Sequence, residues 1–261
     1  MKRDATYLQG IDHLRQVEGA DQPSIVTSLS GIAPDLADLA IRFVYGDIYS
    51  RPGLGLRERQ LATVAVLAAL GNARPQLKFH VLGALNVGCT PEELIEVMIH
   101  LVVYAGFPVG LNGMFVVKEA LLERGIVPSL ASTVPEPSRY QAGWDALLKI
   151  DGEAGEKVIA SLGDISPDLG RLVIEFGFGD VYTRSGLGLI DRELVTIAAL
   201  TALGTAVPQL KVHIHGLLNV GGRHEQLTET IIHVAAYAGF PAAINAMLAA
   251  RDVLAERKAG H

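Results

Sequence analysis

Apolar residues along the chain recur at helical spacing, and no stretch alternates apolar with polar residues as a half-buried strand would. "RERQLATVAVLAALG", from Arg57, opens as an amphipathic helix, becomes apolar on all sides and stops at Gly71, a residue suited to a left-handed C-terminal cap. Pro75 then falls in the first turn of a further helix, which carries His80 and ends near Gly88. Thr90, with Pro91 behind it and Glu93 three residues on, predicts a capping box at the head of "TPEELIEVMIHLVVYAG". Pro108 predicts a break after the Tyr-Ala-Gly-Phe stretch, and a last helix runs on to about Arg124.

The whole pattern then returns. A shift of 133 residues maps His80 onto His213, Tyr7 onto Tyr140, Asp47 onto Asp180, Arg51 onto Arg184, His100 onto His233 and Glu123 onto Glu256, with no gap. Solenoid repeats run to roughly 20 to 50 residues, so this is one domain written twice. The expectation is an all-α chain of two tandem helical domains, 1–126 and 140–261, joined by a linker over 127–139 that is rich in proline and serine. The central helices are apolar on more faces than one domain can cover, which predicts association through them.

Charge and cysteine usage narrow the partners. The net charge is −6 and no dense Lys/Arg cluster occurs, so neither nucleic acid nor an anionic membrane is expected to bind. The single cysteine, Cys89, faces Gly222 in the second copy, which leaves no CxxC pair and fits a reducing, cytoplasmic location. The N-terminus lacks the apolar stretch of a secretory signal. Residues 231–250 have the length of a membrane span, but His233, Tyr237, Pro241 and Asn245 interrupt them and favour a buried helix pair.

The polar residues kept by both copies are the candidates for chemistry. "GDIYSRPGLGL" and "GDVYTRSGLGL" share Tyr49/Tyr182, Arg51/Arg184 and a Gly-Leu-Gly turn, with Arg59/Arg192 on the helix that follows. No strand precedes the glycines, so they read as a turn rather than a nucleotide loop. The arginines suit bidentate carboxylate recognition, or else a structural ion pair to Asp47/Asp180 or a helix C-terminus. His80 and His213 stand in apolar surroundings, as hydrogen-bonded core residues or as proton carriers. His215 is two residues from His213 and points elsewhere on a helix, which argues against a chelating pair; no metal is assigned. A ladder of Glu96, His100 and Tyr104, matched by Glu229, His233 and Tyr237, lines one helix face and reads as a polar seam or as a carboxylate orienting an imidazole.

Together these stretches resemble the carboxymuconolactone decarboxylase family, within the wider alkylhydroperoxidase D-like helical superfamily. The resemblance rests on the ordered series of arginine-led helix, histidine eight residues before a glycine, Glu-rich helix start and Tyr-Ala-Gly-Phe-Pro, present in both copies. It implies an all-helical fold and, for a tandem chain, a homotrimer that mimics a hexamer of single domains. It implies decarboxylation of a carboxylated lactone in a β-ketoadipate-type route of aromatic catabolism, with no organic cofactor or metal. His213 and His80 would transfer the proton, Arg51, Arg59, Arg184 and Arg192 would hold substrate carboxylates, and Tyr49 or Tyr182 would donate to the oxyanion, at a position where this family often has tryptophan. Glu193 matches a carboxylate of a proton relay, whereas copy one has Gln60, so copy two is expected to be the more competent. The superfamily's peroxidases resemble CxxCxxxH; here those cysteine positions hold Ala73 and Gln76, and Ala206 and Gln209, which disfavours a peroxide-linked oxidoreductase. A ligand-binding domain without catalysis is the remaining alternative.

Overall fold

The computed structural model describes residues 4–129 and 138–259. Among them the chain forms fourteen α-helices and two π-helical segments and no strand. Copy one runs α1 (Ala5–Glu18), α2 (Ser24–Leu29), α3 (Pro34–Ala40), π1 (Ile41–Ile48), α4 (Leu56–Leu70), α5 (Arg74–Asn86), α6 (Pro91–Ala105) and α7 (Phe107–Glu123). Copy two repeats the series as α8 (Arg139–Ile150), α9 (Glu153–Ser161), α10 (Pro167–Leu172), π2 (Val173–Tyr182), α11 (Leu189–Leu203), α12 (Val207–Asn219), α13 (His224–Ala238) and α14 (Phe240–Ala259). Of the expected linker, residues 130–137 lie outside the described residues.

The helix ends follow their local chemistry. Gly71 and Gly204 close α4 and α11 in the left-handed conformation, at φ 68° and 67°, where a Cβ would be strained. At α6 the Thr90 hydroxyl accepts from Glu93 N while Glu93 accepts from Thr90 N, so the capping box is complete. At α13 only half of it survives: Gln226 accepts from Arg223 N, and an arginine has no acceptor to return the bond. Residues 231–250 are broken at Gly239, between α13 and α14, and no helix among the described residues is long and apolar enough to cross a membrane.

Two features position the sites. The first is the π-helical turn before each Gly-Leu-Gly loop, where Tyr49 N reaches back five residues to Val44 O. α1 crosses π1 at glycine: a Cβ on Gly10 would lie 2.2 Å from Ile41 O, and one on Gly143 would lie 2.0 Å from Ile174 O. These close crossings anchor Tyr49, just past π1, and Tyr182, the last residue of π2.

The second feature is the exchange of faces between copies. Every residue from Arg59 to Ala69 on α4 is buried. Its own α5, α6 and α7 cover part of it, and α11 and α13 of the other copy cover the rest. α11 is covered in turn by α4 and α6 of copy one. Ala62, Val66, Ala198 and Val234 form a small-residue cluster where the copies meet. The surplus apolar faces that the sequence left open are therefore satisfied inside the chain.

Candidate active sites

Each histidine sits in a site that both copies build. In copy two, His213 comes from α12, Glu193 from α11 and Tyr182 from π2, while Tyr104 arrives from α6 of copy one. His213 Nδ1 lies 3.0 Å from Glu193 Oε2, and the other oxygen of that carboxylate accepts from Tyr182 Oη at 2.6 Å. Tyr104 and Tyr182 hydroxyls are 2.6 Å apart. Because Tyr182 gives its single proton to Glu193, Tyr104 donates to Tyr182, and the chain of donors runs inward from copy one to the carboxylate. Burial pushes both phenols well above their ordinary range, so both keep their protons. The Tyr104 ring also meets His213 edge-on at 5.0 Å.

Nδ1 of His213 thus faces carboxylate, and Nε2 makes no hydrogen bond among the described residues, which leaves it to meet a substrate. Burial pulls this imidazole down, but the negative charges of Glu193 and Asp151 outweigh burial and hold it above the ordinary histidine value. The residue is 6% exposed, so the carboxylates rather than solvent favour its protonated form. Asp151, at the end of α8, escaped the sequence reading. Its Oδ1 lies 3.9 Å from the same Nδ1 and makes no hydrogen bond.

In copy one the same backbone shifts its histidine in the opposite direction. His80 Nδ1 lies 3.0 Å from Gln60 Oε1, and Gln60 Nε2 donates to Tyr49 Oη at 2.9 Å. Tyr49 meets Tyr237 of copy two, hydroxyl to hydroxyl, at 2.9 Å. An amide donates outward to Tyr49 where Glu193 accepts from Tyr182, and it offers His80 no negative charge. Burial alone then acts, and it pushes the His80 value down to about 3. His80 is a neutral imidazole with its proton on Nδ1 and a bare lone pair on Nε2.

The arginines and the ladder form one seam between copies. Arg184 grips Glu96 of copy one through Nε and Nη2, at 2.7 Å for the closest contact, and Arg51 grips Glu229 of copy two in the same way at 2.8 Å. Asp47 and Asp180 are not their partners; Asp180 pairs with Arg139 instead. Arg59 and Arg192 are fully buried behind the outer arginines, each also bonded to the backbone carbonyl of Arg51 or Arg184. His100 and His233 bond Thr196 and Thr63 across the copies at 2.7 Å, and burial followed by the nearby arginine holds both well below the ordinary value. The ladder is thus a seam between copies, and its last rungs, Tyr104 and Tyr237, complete the histidine sites.

A large apolar cleft and the acid–base cluster are different places. A cleft of about 640 Å³, lined by Ile95, Glu96, Met114 and Leu121 of copy one and by Arg184 and Gly186 of copy two, does not reach His213. A smaller one of about 330 Å³ has Arg51 at its edge. Glu96 closes the large cleft, and His213 lies beyond Tyr104, two further turns along α6, or roughly 12 Å of helix. The shifted, hydrogen-bonded acid–base groups converge at the two histidines, which makes those sites the candidates. Of the residues expected to act together, the structure joins His213, Glu193 and Tyr182, and separately His80 and Tyr49; the four arginines gather on Glu96 and Glu229 instead. Gln76 and Gln209 are exposed and outside both sites, and His215 turns to Arg257. No group of three His, Cys, Asp or Glu side chains among the described residues is arranged to hold a metal ion.

This fold and these sites define a helical, twice-repeated enzyme scaffold, and the chain belongs to the carboxymuconolactone decarboxylase family, whose model matches residues 34–119 and again 167–252. A 4-carboxymuconolactone decarboxylase from Acinetobacter baylyi is 33% identical over 129 residues, which are 49% of this chain and 96% of that protein. That relative has the length of one copy. A nitrosuccinic acid decarboxylase from Metarhizium robertsii is 31% identical over 84 residues, 32% of this chain and 58% of that protein. Among solved structures, a protein from Burkholderia xenovorans LB400 named as a candidate gamma-carboxymuconolactone decarboxylase subunit superposes with a TM-score of 0.61 at 27% identity, covering 97% of this chain and 98% of that one.

The two histidines predict opposite pH responses of stability. The folded value of His80 lies below its unfolded value near 6.5, so its contribution is complete above about pH 6.5 and is lost as pH falls toward 3. The folded value of His213 is raised, so its contribution is complete below the unfolded value and is lost as pH rises through the folded one. Urea unfolding from pH 8 to pH 4 checks this: His80→Gln flattens the acid limb and His213→Gln flattens the alkaline limb. An unchanged acid limb in His80→Gln contradicts the assignment.

Proposed function

We propose that the chain is a cofactor-independent decarboxylase of a small carboxylated lactone, of the kind formed in a β-ketoadipate-type route, and that His213 delivers the proton. The observation that carries this is the Tyr104–Tyr182–Glu193–His213 chain, which ends in an imidazole held above its ordinary value by carboxylates, with no hydrogen bond at Nε2 among the described residues. Loss of carbon dioxide breaks a carbon–carbon bond and leaves its electron pair on the lactone as a dienolate. Such an intermediate needs charge stabilisation and then a proton on carbon. His213 Nε2–H supplies the proton, Glu193 stabilises the imidazolium beforehand, and solvent returns the proton afterwards. Arg184 and Arg51, at the edges of clefts that stop short of His213, attract an anionic substrate toward the protein but stay paired with Glu96 and Glu229 and do not hold it at the reacting centre. The Tyr182 hydroxyl already donates its hydrogen bond to Glu193, so its part is to orient that carboxylate.

The peroxide-linked alternative needs a reactive thiolate. Cys89 is buried, and burial pushes its thiol up to about 12, so it is a packing residue. We also propose that the chain assembles as a homotrimer. Its repeat leaves matched apolar stripes outward: Phe107, Leu111 and Phe115 on α7, and Phe240, Ile244 and Leu248 on α14.

Carbon dioxide release from a panel of carboxylated lactones tests the activity. Turnover is expected, with kcat lowered about 10²- to 10⁴-fold in His213→Ala and less than about tenfold in His80→Ala. The reverse order of the two variants sinks the assignment, and silence across the panel favours a ligand-binding domain without catalysis. For the assembly, sedimentation equilibrium is expected to give three times the 27.8 kDa chain mass; a monomer overturns the trimer.

A further inference from the structure

Asp151 is a buried charge that the proposed reaction has not used. It caps α8, is 5% exposed, and its Oδ1 has no hydrogen-bond partner. An unpaired carboxylate oxygen in the interior is costly unless a positive charge lies close by. The groups that face it are His213 from α12, Glu193 from α11, Tyr182 from π2 and Tyr104 from α6, while α9 presents Gly155 against its Cβ. Of these only His213 can carry positive charge.

The packing leaves room for two carboxylates at one nitrogen. Gly216 follows His213 by three residues on α12, and a Cβ there would lie 2.9 Å from Glu193 Oε2 and 3.1 Å from Asp151 Oδ1. Any side chain at 216 would enter the space that both carboxylates occupy. Copy one has the same helix and the same glycine but neither charge. At the position of Asp151 it has Glu18, whose longer side chain turns away and accepts from Ser24 N at 2.9 Å, and at the position of Glu193 it has Gln60. The copies therefore form an internal control.

We infer that Asp151 is a positioning residue of the His213 site, a second carboxylate that works with Glu193 to keep the proton on this histidine and so maintain its acid form. The inference rests on His213 being the proton donor proposed above, and it adds the residue that sets the donor's charge. Burial opposes a cation at this depth, and copy one shows what burial does when no carboxylate answers it: the His80 value falls to about 3. Burial pushes the Asp151 carboxyl itself up to about 7, against the pull of His213 and with the charge of Glu193 adding to burial, so its proton exchanges in the range where the reaction would run.

The experiment is an imidazole ¹⁵N titration of the full chain, comparing wild type with Asp151→Asn and Asp151→Ser and using His80 in the same spectra as the reference. The His213 midpoint is expected to fall by about one pH unit or more in both variants, with His80 unmoved. In the carbon dioxide assay the alkaline limb of kcat moves down by the same amount while KM stays within about twofold. A His213 midpoint equal to wild type in either folded variant overturns the inference. So does a carboxyl ¹³C titration of the unmutated protein in which Asp151 stays protonated until His213 has lost its own proton, because a neutral carboxyl cannot hold the cation; this reading needs no variant. The titrations need no substrate, so the two ideas fail separately. A shifted His213 with no lactone turned over leaves Asp151 in place and removes the decarboxylase reading, whereas an unshifted His213 in an active enzyme removes Asp151 alone.

Discussion

The contact between α4 and α11 determines where every other functional element falls. Ala62, Val66, Ala198 and Val234 are small enough for the helices of the two copies to pack closely. That contact draws α13 onto α4 and α6 onto α11. The Glu-His-Tyr ladder of each copy is thereby carried into the site of the other. Arg184 on Glu96, Thr196 on His100 and Tyr182 on Tyr104 are all bonds between copies. Neither histidine site is complete within its own half of the chain.

Duplication allows one scaffold to keep two different charge states. Gln60 and Glu193 occupy equivalent places and differ by an amide for a carboxylate, yet the consequence reaches across the whole polar chain. The amide donates to Tyr49, whereas the carboxylate accepts from Tyr182 on one side and faces the imidazole on the other. His80 is left neutral by burial, and His213 is pushed toward its protonated form against it. The same fold presents a lone pair at one Nε2 and a proton at the other.

Much of this was legible in the residues. The 133-residue register, the Gly71 cap and the Thr90–Glu93 box rest on local backbone chemistry, which short stretches specify, whereas the break expected after Phe107 falls earlier, at Gly106, because Pro108 is accommodated in the first turn of α7. The reading of Glu96, His100 and Tyr104 as a seam needed only helical spacing. What stayed hidden depends on tertiary packing: that the arginines bind Glu96 and Glu229 rather than Asp47 and Asp180, and that Tyr104 and Tyr237 serve the opposite copy. Asp151 was missed for a different reason. Comparing the copies selects residues that they share, and Asp151 is a place where they differ, with Glu18 opposite it. The signal was present as a carboxylate at the end of the helix that packs beside His213, but only the fold shows that packing.

The central claim is that two equivalent histidines in one chain are shifted in opposite directions from the ordinary value, and an imidazole ¹⁵N titration of the unmutated protein tests it most directly. The account predicts that His80 stays neutral, with its proton on Nδ1, down to below about pH 4, while His213 remains cationic above about pH 6.5. Two histidines that titrate together near the ordinary value would contradict it.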